Sequence, residues 1–230
     1  MCSRYSLTSP PEAVRSLFDL PTVDDFPPRY NIAPTEPVLI ARLDAKGARE
    51  LHLVRWGLIP SWTKDPHAFA APLINARAES AAEKPSFRGA MRHRRCLVPT
   101  TGFYEWTGAR GSRQPHLIQL KDKEVFALAG IWEGWLGADG SEIETMAILT
   151  TAANGDVARL HDRMPVIIEP SDFARWLDCR AGSSQGVLDL LKPVADGRVT
   201  MTAVSPKLND PRLEGPDLQE PAFLSLFDGV

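Results

Sequence analysis

The sequence predicts an α+β fold: a single, compact, β-rich domain with a curved, barrel-like sheet and a few flanking helices. Three observations lead to this prediction. Eight short segments alternate between apolar and polar residues or are rich in β-branched and aromatic residues, and turn residues separate them. Helical patterns are fewer. The 230 residues contain no repeat and no low-complexity linker that would divide them, and this length fits one domain, residues 1–230.

The first predicted element is a short helix. Ser9 is followed by two prolines and Glu12, which predicts that Ser9 caps the helix and that Glu12 completes a capping box. We expect this helix to continue through Phe18. Residues 21–37 contain five prolines, so we expect an ordered loop there rather than a floppy one.

The β-segments follow as short strands joined by turns. Strands are predicted at residues 38–42, 51–56, 96–98, 102–106, 116–120, 125–132, 145–151 and 164–168. Helices are predicted at residues 85–94, 171–177 and 186–191, the last because glycine and serine precede it and Pro193 follows. From Val204 onward, four prolines predict an extended segment that wraps the surface.

Composition excludes several classes of protein. No run approaches the roughly 18 apolar residues that a membrane span needs, and the N-terminus lacks the pattern of a signal peptide. Three cysteines, Cys2, Cys96 and Cys179, are too few for a disulfide framework, and none lies at metal-binding spacing. Motifs of nucleotide-binding loops, metalloproteases and serine hydrolases are also absent. We therefore expect a cytoplasmic protein with no metal and no cofactor.

The net charge of −3 conceals an uneven distribution. Residues 1–120 contain 16 Lys and Arg against 11 Asp and Glu, whereas residues 121–230 contain 10 against 18. From Arg77 to Arg95 there are six basic residues and only two acidic ones. A solvated helix face is the simpler explanation of this run, and a phosphate-binding stripe is the alternative.

Cys2 is singled out by its position in the chain. If Met1 is removed, Cys2 carries both a thiol and the α-amine of the chain. An α-amine has a pKa of about 7.7–8.0, so much of it is a neutral nucleophile near pH 7. Such an aminothiol attacks an aldehyde to form an imine and then closes it into a thiazolidine. The alternative is a cysteine that merely follows the initiator methionine.

Three other residues are candidates for proton transfer or orientation. Glu105 lies between aromatic residues, so we expect its pKa to be raised, unless it faces solvent on an alternating strand. His161 lies in a turn before an apolar strand and exchanges protons near pH 7, although a structural role is open. Asn75 is suited either to orient an amine or phosphate or to cap the next turn.

Seven motifs occur together in a characteristic order. They are CSRY at 2–5, YNIAPT at 30–35, RWGLIPSW at 55–62, INARAES at 74–80, RRCLVPTTGFYEW at 94–106, ILTTAAN at 148–154 and HDRMPVII at 161–168. This combination resembles the SOS-response-associated peptidase (SRAP) family, from residue 2 to about residue 210. Ser3 departs from the family, which usually has glycine after the cysteine. That substitution matters if the backbone there needs a positive φ or a very close approach to substrate.

The resemblance implies a β-rich α+β domain with a mixed barrel-like sheet and a groove for single-stranded DNA. It also implies covalent attachment to abasic sites, which shields the lesion. Cys2 would then form a thiazolidine with the sugar C1′, and Glu105 would be the proton shuttle. His161 would be a second acid-base residue that influences reversal, and Asn75 would hold the cysteine end and a nearby phosphate. Strand cleavage by a lyase reaction stays open.

The resemblance implies DNA contacts elsewhere in the chain. Three residues, Arg4, Arg77 and Thr150, match family positions that bind phosphates. We add Asn31 to the predicted DNA contacts. Trp62 is predicted to stack on bases or wedge against duplex, and Trp56 and Phe69 are further candidates, with core packing expected for at least one of the three. We expect a monomer that needs no protein partner.

Two rival functions remain open at this point. In a thiol peptidase, Cys2 would attack a peptide carbonyl, with His161 as base and Glu105 as its orienting carboxylate. Removal of Met1 by the protein itself would be the minimal form of that activity. In a non-covalent binder of single-stranded DNA, the groove would persist without the chemistry.

Overall fold

The computed structural model describes residues 2–66, 71–109 and 111–222. These residues form thirteen strands and four α-helices. The strands are β1 (Tyr5–Leu7), β2 (Arg29–Ile32), β3 (Pro37–Leu43), β4 (Arg49–Trp56), β5 (Asn75–Arg77), β6 (Arg95–Thr100), β7 (Gly102–Thr107), β8 (Gln114–Leu120), β9 (Phe126–Leu136), β10 (Glu142–Ala152), β11 (Arg163–Pro165), β12 (Ile167–Ile168) and β13 (Val199–Ala203). The helices are α1 (Pro11–Phe18), α2 (Ala78–Ala81), α3 (Arg88–His93) and α4 (Phe173–Leu177).

Five strands close into a small barrel, in the order β4, β3, β6, β9 and β10. Neighbours around the ring are antiparallel except at the closing contact, where β10 runs parallel to β4 and Thr145 pairs with Arg55. The short strands β5, β11 and β12 pair with β10 or β9. The curved, barrel-like mixed sheet predicted from the sequence is therefore confirmed.

Apolar side chains from the barrel strands form the main core. Ile40, Leu97, Ile131 and Met146 are completely buried there. At position 130 the strand needs glycine, because a Cβ atom would lie 2.8 Å from the Sγ atom of Cys96. Cys96 is thus a packing residue of the core.

A second sheet of five antiparallel strands, in the order β13, β8, β7, β1 and β2, carries the start of the chain. In β1, Tyr5 pairs with Phe103 of β7 on one side and with Ile32 of β2 on the other. Because β1 lies inside the sheet rather than at its edge, Cys2 is held only three residues from a fixed strand. The same sheet carries Glu105 in β7.

The helices differ in part from the predictions. Helix α1 forms as expected, but Pro10 occupies the cap position and the Ser9 hydroxyl donates to the carbonyl of Glu124 at 3.3 Å, so the predicted capping box is wrong. The helix predicted over 85–94 is confined to α3. The segment predicted as a helix at 186–191 is a 3-10 turn over Gln185–Leu190.

The predicted strand at 164–168 is divided because it changes partner. β11 pairs with β10 and β12 pairs with β9. Between them, the Val166 N–H donates to the carbonyl of Leu149 at 2.9 Å and its carbonyl accepts from Ala129 at 2.8 Å. One residue thus bridges two strands of the barrel.

The C-terminal segment from Val204 folds back rather than running extended. It forms 3-10 turns at Pro206–Asn209 and Pro216–Gln219, and Val204 forms a β-bridge with Pro221. Its leucines at 208 and 218 are buried against Tyr104 in a small core of their own. This segment, residues 204–222, is called the C-terminal strap below.

Candidate active site

Cys2 leads into β1 and its side chain is completely buried. The thiol donates to the carbonyl of Arg4, with 3.7 Å between sulfur and oxygen. Burial raises the pKa of Cys2 to about 12, and the nearby charge of Glu105 adds to this effect. The thiol is therefore neutral near pH 7. Ser3 does not have a positive φ, since Asp19 and Thr35 are the only non-glycine residues of the described ranges that do, so serine is not strained there.

Asn75 in β5 holds the backbone of Cys2. Its Nδ2 atom donates to the Cys2 carbonyl at 2.7 Å. Strand β5 is placed for this contact by its parallel pairing with β10, where Asn75 lies opposite Ile148. The Oδ1 atom of Asn75 is buried and has no hydrogen-bond partner among the described residues. It is therefore available to accept a hydrogen bond from a group that enters the site.

Glu105 is 3% exposed, although the two residues that follow it at the end of β7 are only half-buried. Burial raises the pKa of this carboxyl, and the positive charges around it, including that of His161, oppose the rise. The raised pKa agrees with the expectation from its aromatic neighbours. A carboxyl of this kind is suited to hold a proton closer to neutrality than an exposed glutamate does.

His161 follows the 3-10 turn Val157–Arg159 and is about one-third exposed. Its Nδ1 atom accepts from the backbone N–H of Arg163 at 3.0 Å and also lies 2.8 Å from Asp162 Oδ1. The charge of Glu105 acts on the Cys2 thiol and the charge of His161 acts on Glu105, so the three groups lie within electrostatic range of one another. Together with Asn75, four residues from distant parts of the chain converge at one end of β1.

Two of the predicted DNA contacts are tied to each other. Arg4 donates Nη1–H to Asn31 Oδ1 at 2.6 Å and to the carbonyl of Leu208 at 3.3 Å. Asn31 is 1% exposed, and its Nδ2 atom donates to the carbonyls of Asp210 and Leu213. The Asn31 amide is thus engaged within the protein, and it orients Arg4. A direct contact of Asn31 with DNA remains a prediction without exposed surface to support it.

Arg77 and Thr150 lie opposite each other in the β5–β10 pairing. The Arg77 side chain is exposed and has no hydrogen bond or ion pair with the described residues, so it is available to a phosphate. Thr150 is completely buried, and its hydroxyl is 3.4 Å from Arg163 Nη2. The structure therefore leaves Arg77 open to solvent and places Thr150 behind it.

The three candidates for base stacking have different surroundings. Trp62 is 60% exposed, and its indole N–H donates to the carbonyl of Pro85 at 3.4 Å. Trp56 is completely buried, packs edge-on against Tyr5 and donates to the carbonyl of Ile74, so a stacking role for Trp56 is wrong. Phe69 lies outside the described residues.

The basic run from Arg77 to Arg95 does not form one stripe. Arg95 is 2% exposed and donates to four backbone carbonyls, those of Met91, Trp176, Asp178 and Ser183. Arg94 forms an ion pair with Glu133. Both therefore stabilise the fold, and exposed basic side chains remain at positions 77, 84, 88 and 92.

A cavity of about 330 Å³ beside the site contains residues that the sequence analysis missed. It is lined by Ser3, Arg4, Trp106, Gly111, Arg113 and Asn209. Asn209 belongs to the C-terminal strap and accepts from the Trp106 indole N–H at 2.8 Å. The adjacency of Trp106 to Glu105 in the sequence was a signal for Trp106, whereas no sequence pattern placed residue 209 there. A larger cleft of about 870 Å³, between the β3–β4 turn and α4, contains none of the predicted site residues.

Neither a metal centre nor a membrane span is found in the described parts of the chain. No cluster of three or more His, Cys, Asp or Glu residues has metal-binding geometry within residues 2–66, 71–109 and 111–222. Over the same ranges, no helix is long and apolar enough to cross a bilayer.

Comparison with known proteins gives consistent matches over nearly the whole chain. Abasic site processing protein YoqW of Bacillus subtilis is 35% identical over 224 residues, which cover 96% of this chain and 99% of that protein. Abasic site processing protein HMCES of Rattus norvegicus is 31% identical, over 97% of this chain and 77% of that protein.

Solved structures show the same fold. A crystal structure of a protein from Bacteroides thetaiotaomicron matches with a TM-score of 0.81 and 27% identity, over 96% of this chain and 100% of that one. One from Bordetella bronchiseptica matches with a TM-score of 0.76 and 27% identity, over 89% and 100%. The family model of the SOS response associated peptidase (SRAP) matches residues 1–211. With this coverage and the converging Cys2, Asn75, Glu105 and His161, the chain belongs to the SRAP family.

Proposed function

We propose that this protein forms a covalent crosslink with abasic sites in single-stranded DNA through Cys2, after removal of Met1. The observation that carries the proposal is the hydrogen bond from Asn75 to the Cys2 carbonyl, which fixes the start of the chain beside Glu105. The relatives named abasic site processing proteins support the choice of substrate. The lesion offers an aldehyde when its sugar ring opens, and an aldehyde is the partner that an N-terminal aminothiol favours.

The proposed reaction is balanced by the loss of one water. The α-amine of Cys2 donates its lone pair to the sugar C1′, and the aldehyde oxygen takes up a proton to give a carbinolamine. Loss of water gives an imine. The thiol sulfur then bonds to C1′ while the thiol proton passes to the imine nitrogen, which completes the five-membered thiazolidine.

The neighbours of Cys2 supply the protons for these steps. Ring opening and loss of water both need an acid near the sugar oxygen, and the raised pKa of Glu105 lets its carboxyl hold a proton for that purpose. His161 is the second acid-base group. The unpaired Oδ1 atom of Asn75 is an acceptor for the Cys2 amine or for the carbinolamine hydroxyl.

Selection of the lesion follows from the chemistry rather than from base reading. Contacts to phosphate come from the exposed Arg77 and from Arg4, which lines the cavity of about 330 Å³. Such contacts add affinity without sequence preference. The exposed Trp62 adds a face for stacking. Selectivity then comes from the aldehyde and from the flexibility of a single strand, and the product shields the lesion.

The test uses a single-stranded oligonucleotide with one abasic site and a denaturing gel. We expect a shifted band for the wild-type protein and for the control Cys179→Ala, which removes a half-buried thiol elsewhere. Cys2→Ala should give no thiazolidine. Cys2→Ser keeps the amine but not the sulfur, so it should crosslink only when borohydride reduces the imine. A stable, unreduced crosslink with Cys2→Ala would overturn the aminothiol mechanism.

Mass spectrometry adds an independent check. The intact protein should lack Met1, and the crosslinked product should weigh one water less than the sum of protein and DNA. Retention of Met1 in a protein that fails to crosslink, yet retards the DNA on a native gel, would favour a passive binder.

The family description also names a peptidase, and Cys2-dependent cleavage of a peptide would support that activity. The environment of Cys2 argues against it. A thiol peptidase needs a thiolate, which an adjacent imidazolium stabilises, whereas burial keeps this thiol neutral and its hydrogen bond goes to a backbone carbonyl.

A further inference from the structure

An ion pair joins the segment that carries Asn75 to the segment that carries His161. Glu79 lies in α2, directly after β5, and Arg163 begins β11. Arg163 donates Nη1–H to Glu79 Oε1 at 2.7 Å and Nη2–H to Glu79 Oε2 at 2.9 Å. A pair of parallel contacts of this kind fixes the orientation of both groups.

This ion pair orients more than it stabilises. The Glu79 side chain is 54% exposed, and exposed ion pairs contribute little to folding. The Arg163 side chain is only 14% exposed, and the same guanidinium donates to the carbonyl of Thr150 at 2.5 Å. Glu79 and β10 together therefore hold Arg163 in one position.

The backbone of Arg163 acts on His161. Its N–H is 3.0 Å from His161 Nδ1, so this ring atom is unprotonated when it accepts that bond. The carboxylate of Asp162 lies 2.8 Å from the same Nδ1 atom and favours the opposite state, in which Nδ1 carries a proton. Two groups thus compete for one ring nitrogen.

We infer that Glu79 is a positioning residue that clamps Arg163, so that the Arg163 N–H keeps His161 Nδ1 as an acceptor and the ring proton stays on Nε2. Without the ion pair to Glu79, β11 loses one of the contacts that hold it in place. The hydrogen bond from Nδ1–H to Asp162 then forms in a larger fraction of the molecules. The effect on rate rests on the proposed crosslinking function. The state of the imidazole does not, because it is a property of the free protein.

The first test separates rate from binding. Glu79→Gln removes the charge at nearly constant shape. Glu83→Gln is the matched control, because it removes an exposed carboxylate four residues further along the chain that has no ion pair with the described residues. At saturating abasic DNA, we expect the crosslinking rate constant to fall about tenfold for Glu79→Gln, in line with the loss of one charged hydrogen-bonded contact. The control should stay within about twofold. The half-saturating DNA concentration should not rise, since the variant loses a negative charge near Arg77.

The second test reads the imidazole directly, by ¹⁵N NMR of the ring in the protein without DNA, with the His161 signals assigned by their loss in His161→Asn. We expect the Nε2–H form in the wild type and in Glu83→Gln, and a larger population protonated at Nδ1 in Glu79→Gln. Identical ring signals in wild type and Glu79→Gln would overturn the inference even if crosslinking is observed. A wild-type protein that never crosslinks would instead overturn the proposed function and leave the NMR result to decide on Glu79. If Glu79→Gln does not fold, Glu79→Asp keeps the charge but shortens the reach by one methylene, and it should show the same shift of the ring signals in a smaller population.

Discussion

The side-chain amide of Asn75 donates to the backbone carbonyl of Cys2 at 2.7 Å, so a residue of β5, which pairs with barrel strand β10, holds the start of the chain. Asn75→Ala removes this contact and the unpaired Oδ1 acceptor together. A neutral hydrogen bond contributes about 1 kcal/mol, so we expect crosslinking to slow about fivefold or more. The affinity for single-stranded DNA, measured by fluorescence anisotropy, should stay within about twofold. An unchanged crosslinking rate would show that the contact does not position Cys2 for reaction.

Glu105→Gln should separate stability from activity. The folded protein favours the neutral carboxyl, so the contribution of Glu105 to stability is present below its ordinary pKa of 4.5 and is lost as pH rises through its raised folded pKa. The variant should therefore gain stability relative to wild type between pH 4 and pH 8. A gain of about 1 kcal/mol corresponds to about 2–4 °C in Tm for a chain of this size.

The same variant should crosslink more slowly while it retains DNA binding. Thermal unfolding at both pH values and a crosslinking time course check the two effects. Loss of DNA binding would assign Glu105 to structure instead, and a Tm difference that does not change with pH would contradict the raised pKa.

Arg77→Gln should weaken DNA binding through charge alone. Each phosphate contact to a single strand contributes about −0.7 to the slope of log affinity against log salt concentration. We expect the slope to become shallower by about that amount. Arg180→Gln is the matched control, because that arginine is 88% exposed and lies in the larger cleft away from Cys2. Equal effects of the two variants would mean that Arg77 adds only to the overall electrostatic potential of the protein and makes no direct contact with a phosphate.

Asn31 should act on DNA binding only through Arg4. Loss of the buried amide should destabilise the protein by about 1–3 kcal/mol, because Arg4 and two strap carbonyls lose their partner. In a double-mutant cycle of Asn31→Ala and Arg4→Ala, the second substitution should add little to the loss of DNA affinity. Additive losses would instead indicate that Asn31 contacts the strand itself.

Trp62 and Trp56 should respond in opposite ways to truncation. Trp62→Ala should weaken the free energy of binding to single-stranded DNA by about 1–3 kcal/mol, with little change in Tm. Trp56→Ala should lower the free energy of unfolding by about 3–5 kcal/mol, because it empties a completely buried site. Urea titrations and anisotropy measurements distinguish the two. A large loss of stability in Trp62→Ala would place that side chain in the fold rather than on the DNA path.

The sequence predicted the longer strands well because their apolar patterns are local. The strands of three or four residues, such as Tyr5–Leu7 and Asn75–Arg77, are too short to show a period, and they form because long neighbours pair with them. Barrel closure through the parallel contact of β10 with β4 is equally invisible, since it joins residues about ninety positions apart. For the same reason Asn209 could not be placed beside Trp106.

A run of basic residues does not show which of their side chains face solvent. In the sequence Arg95 is one more basic residue of a cluster, yet it begins a buried strand and its guanidinium donates to backbone carbonyls. Cys2 could be singled out because its significance depends on position in the chain rather than on contacts. Whether Glu105 faces water or protein could not be read from the alternation, and the structure shows that it is buried.

The position of β1 inside the second sheet also limits how far the reactive end can travel. The three residues before Tyr5 span at most about 10 Å when fully extended, and Arg4 is anchored to Asn31 and the C-terminal strap. Cys2 therefore cannot search along a strand. In the proposed reaction, the DNA would have to bring its sugar to a stationary cysteine, which a stacked duplex resists and an unpaired backbone can do.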